Sequence, residues 1–269
     1  MFKGVQGGFK GSGSLKKATP RAGSMAPQDR RHCMHRDMPR PPRVVLPGHT
    51  LHLIQRGNDR QRCFVDDEDR TSYLATLLRV SERAHCDVHA YVLMPNHVHL
   101  LVTAREASAP AMMMHALGTR YVRQFNARHE RTGTLWEGRY RSSLIDSERY
   151  FLRCSRYIET NPVRAGMVSS PEEYRWSSFR TNAEGWPDAL VRRHPVYLAL
   201  GRSGFARREA YRALFEKPLG TPVLDAIRRA THQGGVLGFD DDRSGLERAL
   251  GRSVYRGTHG GNRRRKIAV

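Results

Sequence analysis

Two histidines one residue apart, His97 and His99, stand in the run Met94-Pro95-Asn96-His97-Val98-His99-Leu100-Leu101. On a β-strand, residues i and i+2 face the same side, so this spacing sets two imidazoles side by side. Val98, Leu100, Leu101 and Val102 are left to anchor the strand in a core. Two nitrogens on a rigid strand make half of a metal site that stays open on its other side. An ion held there polarises a phosphate. The plainer alternative is a hydrogen-bonded pair of strand histidines, and 13 histidines in 269 residues make chance pairs common. Structural zinc is the wrong chemistry, because it takes four protein ligands. A histidine-triad nucleotidyl hydrolase would need a third histidine where Leu101 stands.

The second chemical signal is Arg156-Tyr157-Ile158-Glu159-Thr160-Asn161-Pro162-Val163-Arg164. Tyr157 and Asn161 are four residues apart and share a helix face. Pro162 makes Asn161 the expected last helical residue, with its side chain free to reach outward. An amide oxygen is a hard, neutral ligand suited to Mg²⁺ or Mn²⁺. A phenol is a weak nucleophile near neutrality because its pKa is about 10, but a metal and nearby arginines reduce the cost of forming the phenolate. A core tyrosine on an amphipathic helix is the alternative for Tyr157, and Tyr150, two turns earlier, is its best competitor as a nucleophile.

These residues need a scaffold, and the chain patterns supply one. His52-Leu53-Ile54 reads as a strand followed by the turn Gly57-Asn58-Asp59. A helix opens at Asp66 and runs through Tyr73, Leu74, Leu77 and Leu78. Strands over 88–94 and 97–103 are joined only by Pro95-Asn96, which predicts antiparallel neighbours. A helix covers 109–129, Thr132-Gly133 breaks it, and the basic loop 136–142 leads to a short strand at 143–145. The last helix starts at Ser147 or Glu148. The order β-α-β-β-α-β-α predicts an α+β fold, a ferredoxin-like split βαβ antiparallel sheet with helices on it. Beyond about residue 190 the pattern is one of short helices, at 203–215, 222–230 and 244–250, ending in the basic tail 261–266. Residues 1–37, rich in Gly, Ser, Lys and Arg, are expected to be disordered, or to lie upstream of a true start at Met38. The expected division is therefore 1–37, a basic extension, 38–185, a catalytic domain, and 186–269, a helical C-terminal region.

Composition points the same way. The sequence carries 46 Lys+Arg against 26 Asp+Glu, a net charge of +20, and such a chain attracts polyanions, nucleic acid above all. The cysteines, Cys33, Cys63, Cys86 and Cys154, are scattered without a CxxC pair, which excludes a disulfide framework or zinc knuckle and fits a reducing cytoplasm. No secretory signal or membrane-length apolar run is present, and a cytoplasmic, nucleoid-associated location is expected.

Taken together the blocks MPRPPR (38–43), IQRGNDR (54–60), YVLMPNHVHLL (91–101), GTLWEGRYRSS (133–143), RYIETNPVRAGMV (156–168) and YRWSSF (174–179) resemble the REP-associated tyrosine transposases of bacteria. These are single-tyrosine transposases with a His-hydrophobic-His metal motif, and the resemblance covers about 38–179. It implies Mg²⁺ or Mn²⁺ on His97 and His99, with Asn161 as third ligand and Tyr157 as the nucleophile. It also implies cleavage and rejoining of single-stranded DNA at hairpin-forming palindromic repeats through a 5′-phosphotyrosine link. Arg56, Arg60, Arg62, Arg139 and Arg141 are candidate phosphate or base contacts. Trp136, Tyr140 and Trp176 are candidate stacking platforms, and for each of them core packing is at least as good a reading, most of all for Trp176. A homodimer is one expected assembly. Three rival functions remain at this level: a silent hairpin-DNA binder, a metal phosphodiesterase using water, and an RNA-binding protein.

Overall fold

The structure, a computed structural model, describes residues 43–238 and 243–251. The expected basic extension at 1–37 and the tail at 261–266 lie outside the described residues. By contact the chain divides into Met1–Pro41 and Pro42–Val269, and everything below belongs to the second unit.

The sheet is built on β1 (Thr50–Arg56), β2 (Cys86–Met94), β3 (His97–Ala104), β4 (Arg141–Ile145) and β5 (Val236–Leu237), in the order β2-β3-β1-β4-β5. The first four strands pair antiparallel, as the split βαβ pattern predicts, and β5 joins β4 in parallel. Pro95 and Asn96 close the β2–β3 hairpin, where Met94 pairs with His97. The central strand β1 alternates: Leu51 and Leu53 are fully buried toward one side, while Thr50, His52 and Ile54 point to the other. Helices α1 (Asp67–Arg83) and α2 (Ala109–Arg128) pack together on the leucine side. Helix α1 starts where Asp66 accepts the Asp69 N–H at 3.1 Å, the cap that fixes its first turn.

The opposite face is covered by α3 (Glu148–Glu159) and, later in the chain, by a helix of the C-terminal region. Helix α3 buries Phe151, Cys154, Tyr157 and Ile158, an i, i+3, i+6, i+7 stripe. Ser147 caps it by accepting the Tyr150 N–H at 3.3 Å. Ser147→Ala is expected to lower stability by about 1 kcal/mol through that cap, read from the midpoint of urea unfolding; an unchanged midpoint would remove the cap from the account.

The helix does not run to Asn161 as expected. It ends at Glu159, Thr160 intervenes, and α4 (Asn161–Arg164) begins anew. Pro162 lacks an N–H and fits the first turn of a helix, where none is needed. The new turn closes through Arg164 N–H to Thr160 O and Ala165 N–H to Asn161 O, both 3.0 Å. Asn161 therefore opens a turn instead of closing a helix.

The C-terminal region supplies α5 (Pro195–Leu198), α6 (Gly204–Ala213), α7 (Thr221–Gln233) and α8 (Arg243–Leu250), close to the expected helices. The expectation of helices alone is incomplete, because α7 packs on β1 and β4 and leads through Gly234 into β5. Gly234 holds φ at 68°, a left-handed cap that a side chain resists. At the far edge of the sheet, β2 is met by two passing segments. Leu93 N–H reaches Trp176 O at 2.9 Å, Ser178 N–H reaches Tyr91 O at 3.0 Å, and Arg192 N–H reaches Val88 O at 2.7 Å.

Candidate active site

Strand register decides which side chains meet. Arg56 pairs with His97, Ile54 with His99 and His52 with Leu101, so His97, His99 and His52 share one face of the sheet. Helix α3 lies across that face and lowers Tyr157 onto it. The His97 and His99 rings are 5.0 Å apart between centroids. The Tyr157 ring lies 5.8 Å from His99 and 5.9 Å from His52. Asn161 is half-buried at the head of α4, four residues beyond Tyr157 and across the Thr160 break. Tyr150, the competing tyrosine, carries the Arg153 guanidinium 5.0 Å from its ring centre.

Each histidine of the pair is tied at Nδ1. His97 Nδ1 lies 2.7 Å from Asn96 Oδ1, and His99 Nδ1 lies 2.8 Å from His52 Nε2. Partners at one ring nitrogen fix ring orientation and leave the other nitrogen, Nε2, for a ligand. Burial, and then the neighbouring Arg56, push His97 down to about 4. Burial pushes His99 well below the ordinary imidazole value, helped by His52, His97 and Arg164. Both rings are therefore neutral at pH 7, the form that ligates metal. Among the described residues there is no cluster of three or more His, Cys, Asp or Glu side chains arranged to hold an ion. Two neutral imidazoles on one strand are nevertheless nitrogen donors of the kind that suits a divalent cation with open positions.

The phenol has its own cation. The Arg164 guanidinium sits 4.2 Å from the Tyr157 ring centre, interacts with its hydroxyl and is half-buried. Arg164 lies in the motif read from sequence, but the break before α4, which turns it back over α3, carried no signal there. His52 was likewise read only as strand, because its place beside His99 depends on pairing. Arg164→Ala is expected to slow DNA strand cleavage about 100-fold, the order seen when one donor to a developing charge is removed. Arg164→Lys should recover only part of it, since the planar fork is lost. Single-turnover rates on an oligonucleotide hairpin test this, and a rate unchanged in Arg164→Ala would refute the role.

The candidate DNA contacts divide. Arg60, Arg62, Arg139 and Arg141 are exposed, and Arg56 is half-exposed and ion-paired with Glu137 at 2.5 Å. Trp136 and Tyr140 are not open platforms. Trp136 is buried against Tyr73 and Tyr121, with ring centres 6.5 and 6.1 Å away. Tyr140 is buried beneath Arg43, whose guanidinium lies 3.6 Å from its ring centre and donates to the Tyr140 carbonyl. A basic loop looks exposed in sequence, yet Trp136 packs from it onto the α1–α2 layer and Tyr140 packs beneath Arg43. Trp176 is also buried and donates from Nε1 to Asp67 at 3.0 Å.

Comparison with known proteins finds similarity to transposases. Residues 46–161 match the family described as "Transposase IS200 like". That segment is under half of the chain, and it is similar to a family of transposases. A Haemophilus influenzae protein, provisionally named a REP-associated tyrosine transposase, is 27% identical over 145 residues, spanning 48% of this chain and 80% of the relative. A solved REP-associated tyrosine transposase bound to a REP hairpin overlays with a TM-score of 0.43 at 19% identity, covering 57% of this chain and 90% of that one. A provisionally named transposase from Deinococcus radiodurans overlays with a TM-score of 0.33 at 23% identity, covering 45% and 95%. At these scores the two structures carry no argument. No helix among the described residues is long and apolar enough to cross a membrane.

Proposed function

We propose that this chain cuts and rejoins single-stranded DNA at hairpin-forming palindromic repeats, with Tyr157 as nucleophile. The observation that supports it most is the meeting, on one buried sheet face, of two neutral imidazoles, a phenol and a guanidinium. The Tyr157 oxygen forms a bond to phosphorus and the bond from phosphorus to the 3′-oxygen breaks. The phenolic proton is given up and the departing 3′-oxygen ends as a hydroxyl. A 3′-hydroxyl attacking the phosphotyrosine reverses these changes and reseals the strand. The phosphodiester energy is kept, which is consistent with the absence of a GxxxxGK[ST] motif from the sequence.

His97, His99 and Asn161 would hold Mg²⁺ or Mn²⁺, which when bound supplies positive charge to the phosphate oxygens. Arg164 holds the phenol in place and stabilises negative charge on its oxygen. Arg60, Arg62, Arg139 and Arg141 attract the backbone, with Arg56 nearer the histidines. A relative named for REP elements motivates the choice of palindromic hairpins. The test is an oligonucleotide hairpin with a single-stranded foot, incubated with the full chain and Mn²⁺. An SDS-stable adduct whose peptide maps to Tyr157 supports the reading. Tight binding without adduct favours a silent binder, and cleavage without adduct favours water as nucleophile.

A further inference from the structure

We propose that helix α7, which lies outside the matched segment, positions the metal ligand His99 through a hydrogen-bond chain of Thr231 and His52. The proposal rests on the metal reading above and adds to it a role for the C-terminal region. The chain begins inside α7, where Thr231 Oγ1 lies 2.8 Å from the carbonyl oxygen of Ile227, one turn earlier. A carbonyl only accepts, so the threonine hydroxyl donates there, as helical threonines commonly do. That uses its one proton. His52 Nδ1 lies 3.3 Å from the same oxygen and must be the donor in that contact. Ser143 Oγ, 3.4 Å away, likewise faces only a lone pair.

The protons then follow in order. With Nδ1 protonated, neutral His52 has its lone pair on Nε2, and the 2.8 Å contact to His99 is a bond donated by His99 Nδ1–H. Neutral His99 is thereby left with an unprotonated Nε2. The opposite order would start with Thr231 donating to His52 and end with a proton on His99 Nε2, where an ion would have to displace it. The 2.8 Å bond to Ile227 against 3.3 Å to His52 selects the first order. His52 is fully buried, and His99 and Thr231 nearly so, so water does not substitute for a missing link. The other ligand is set locally by its neighbour Asn96, whereas His99 depends on a helix more than a hundred residues away in sequence.

Thr231→Val removes the hydroxyl at nearly constant volume, and Thr231→Ser restores it. Mn²⁺ binding to the full chain without DNA, followed by the EPR signal of free ion, should be about tenfold weaker in Thr231→Val, as for other outer partners of metal ligands. It should return to the wild-type value in Thr231→Ser. Imidazole ¹⁵N spectra of the wild type without metal give a second readout that needs no variant, and they should place the His99 proton on Nδ1. Undiminished Mn²⁺ binding by Thr231→Val, or a proton on His99 Nε2, overturns the relay while leaving the metal reading intact. Absence of Mn²⁺ binding by the wild type, with the His99 proton on Nδ1, overturns the metal reading and the positioning role with it.

Discussion

Tyr157→Phe is expected to abolish the SDS-stable DNA adduct and to cut strand cleavage by at least about 1,000-fold, the scale on which removal of a covalent nucleophile acts. The substitution deletes one oxygen and leaves the ring that rests on His99 and His52. The fold should therefore survive, and DNA binding measured by fluorescence anisotropy should change little. Mn²⁺ binding should also persist, because the imidazoles and Asn161 are untouched. Residual cleavage at the wild-type rate would assign the attack to water or to another tyrosine. Tyr150→Phe is the matched control, and it should retain the adduct.

The second large effect lies two residues along α3. Glu159 is fully buried and accepts from Ser178 at 2.5 Å, Asn182 at 3.0 Å and Tyr211 at 2.7 Å, tying the helix to the YRWSSF block, to the turn after it and to α6. Glu159→Ala strands three buried donors and is expected to cost about 3 kcal/mol, measured by urea unfolding. The carboxyl also gives a pH signature. Burial raises it and the three hydrogen bonds pull it back, leaving it at about 7 against an ordinary 4.5. A carboxyl raised in the folded state holds its proton more tightly there than in the unfolded chain. The resulting stabilisation is complete below the unfolded value and is lost as pH rises through about 7. Glu159 therefore lowers wild-type stability as pH rises from 4.5 to 7, against the depressed histidines that raise it there, and Glu159→Gln should gain stability relative to the wild type across that window. Equal slopes for the two proteins would show that Glu159 does not govern that window.

What could be read in the sequence was local. Asp66 before an apolar helix and Pro95-Asn96 between two strand runs each encode their element within a few residues, and the structure forms each where expected. The histidine pair was legible for the same reason, since a period of two needs only a strand. What the sequence withheld depends on which elements pack together. That His52 lies against His99 follows from the β1–β3 pairing and from α7, contacts that span 47 and 179 residues. Trp136 and Tyr140 sit in a stretch of arginines and glycines that reads as surface, and only the approach of Tyr73, Tyr121 and Arg43 makes them core. The break at Thr160 departs in the other direction: Pro162 reads as a stop, whereas in the structure it starts a further turn.

Both margins of the sheet are occupied: β5 lies along β4, and the residues around Trp176, Ser178 and Arg192 take up β2's outward amide and carbonyl groups. Such coverage keeps one copy's strands from annealing to another's. Two copies that assembled on DNA through helices or loops would leave the five-strand ladder and the histidines on it undisturbed as a partner arrives or leaves.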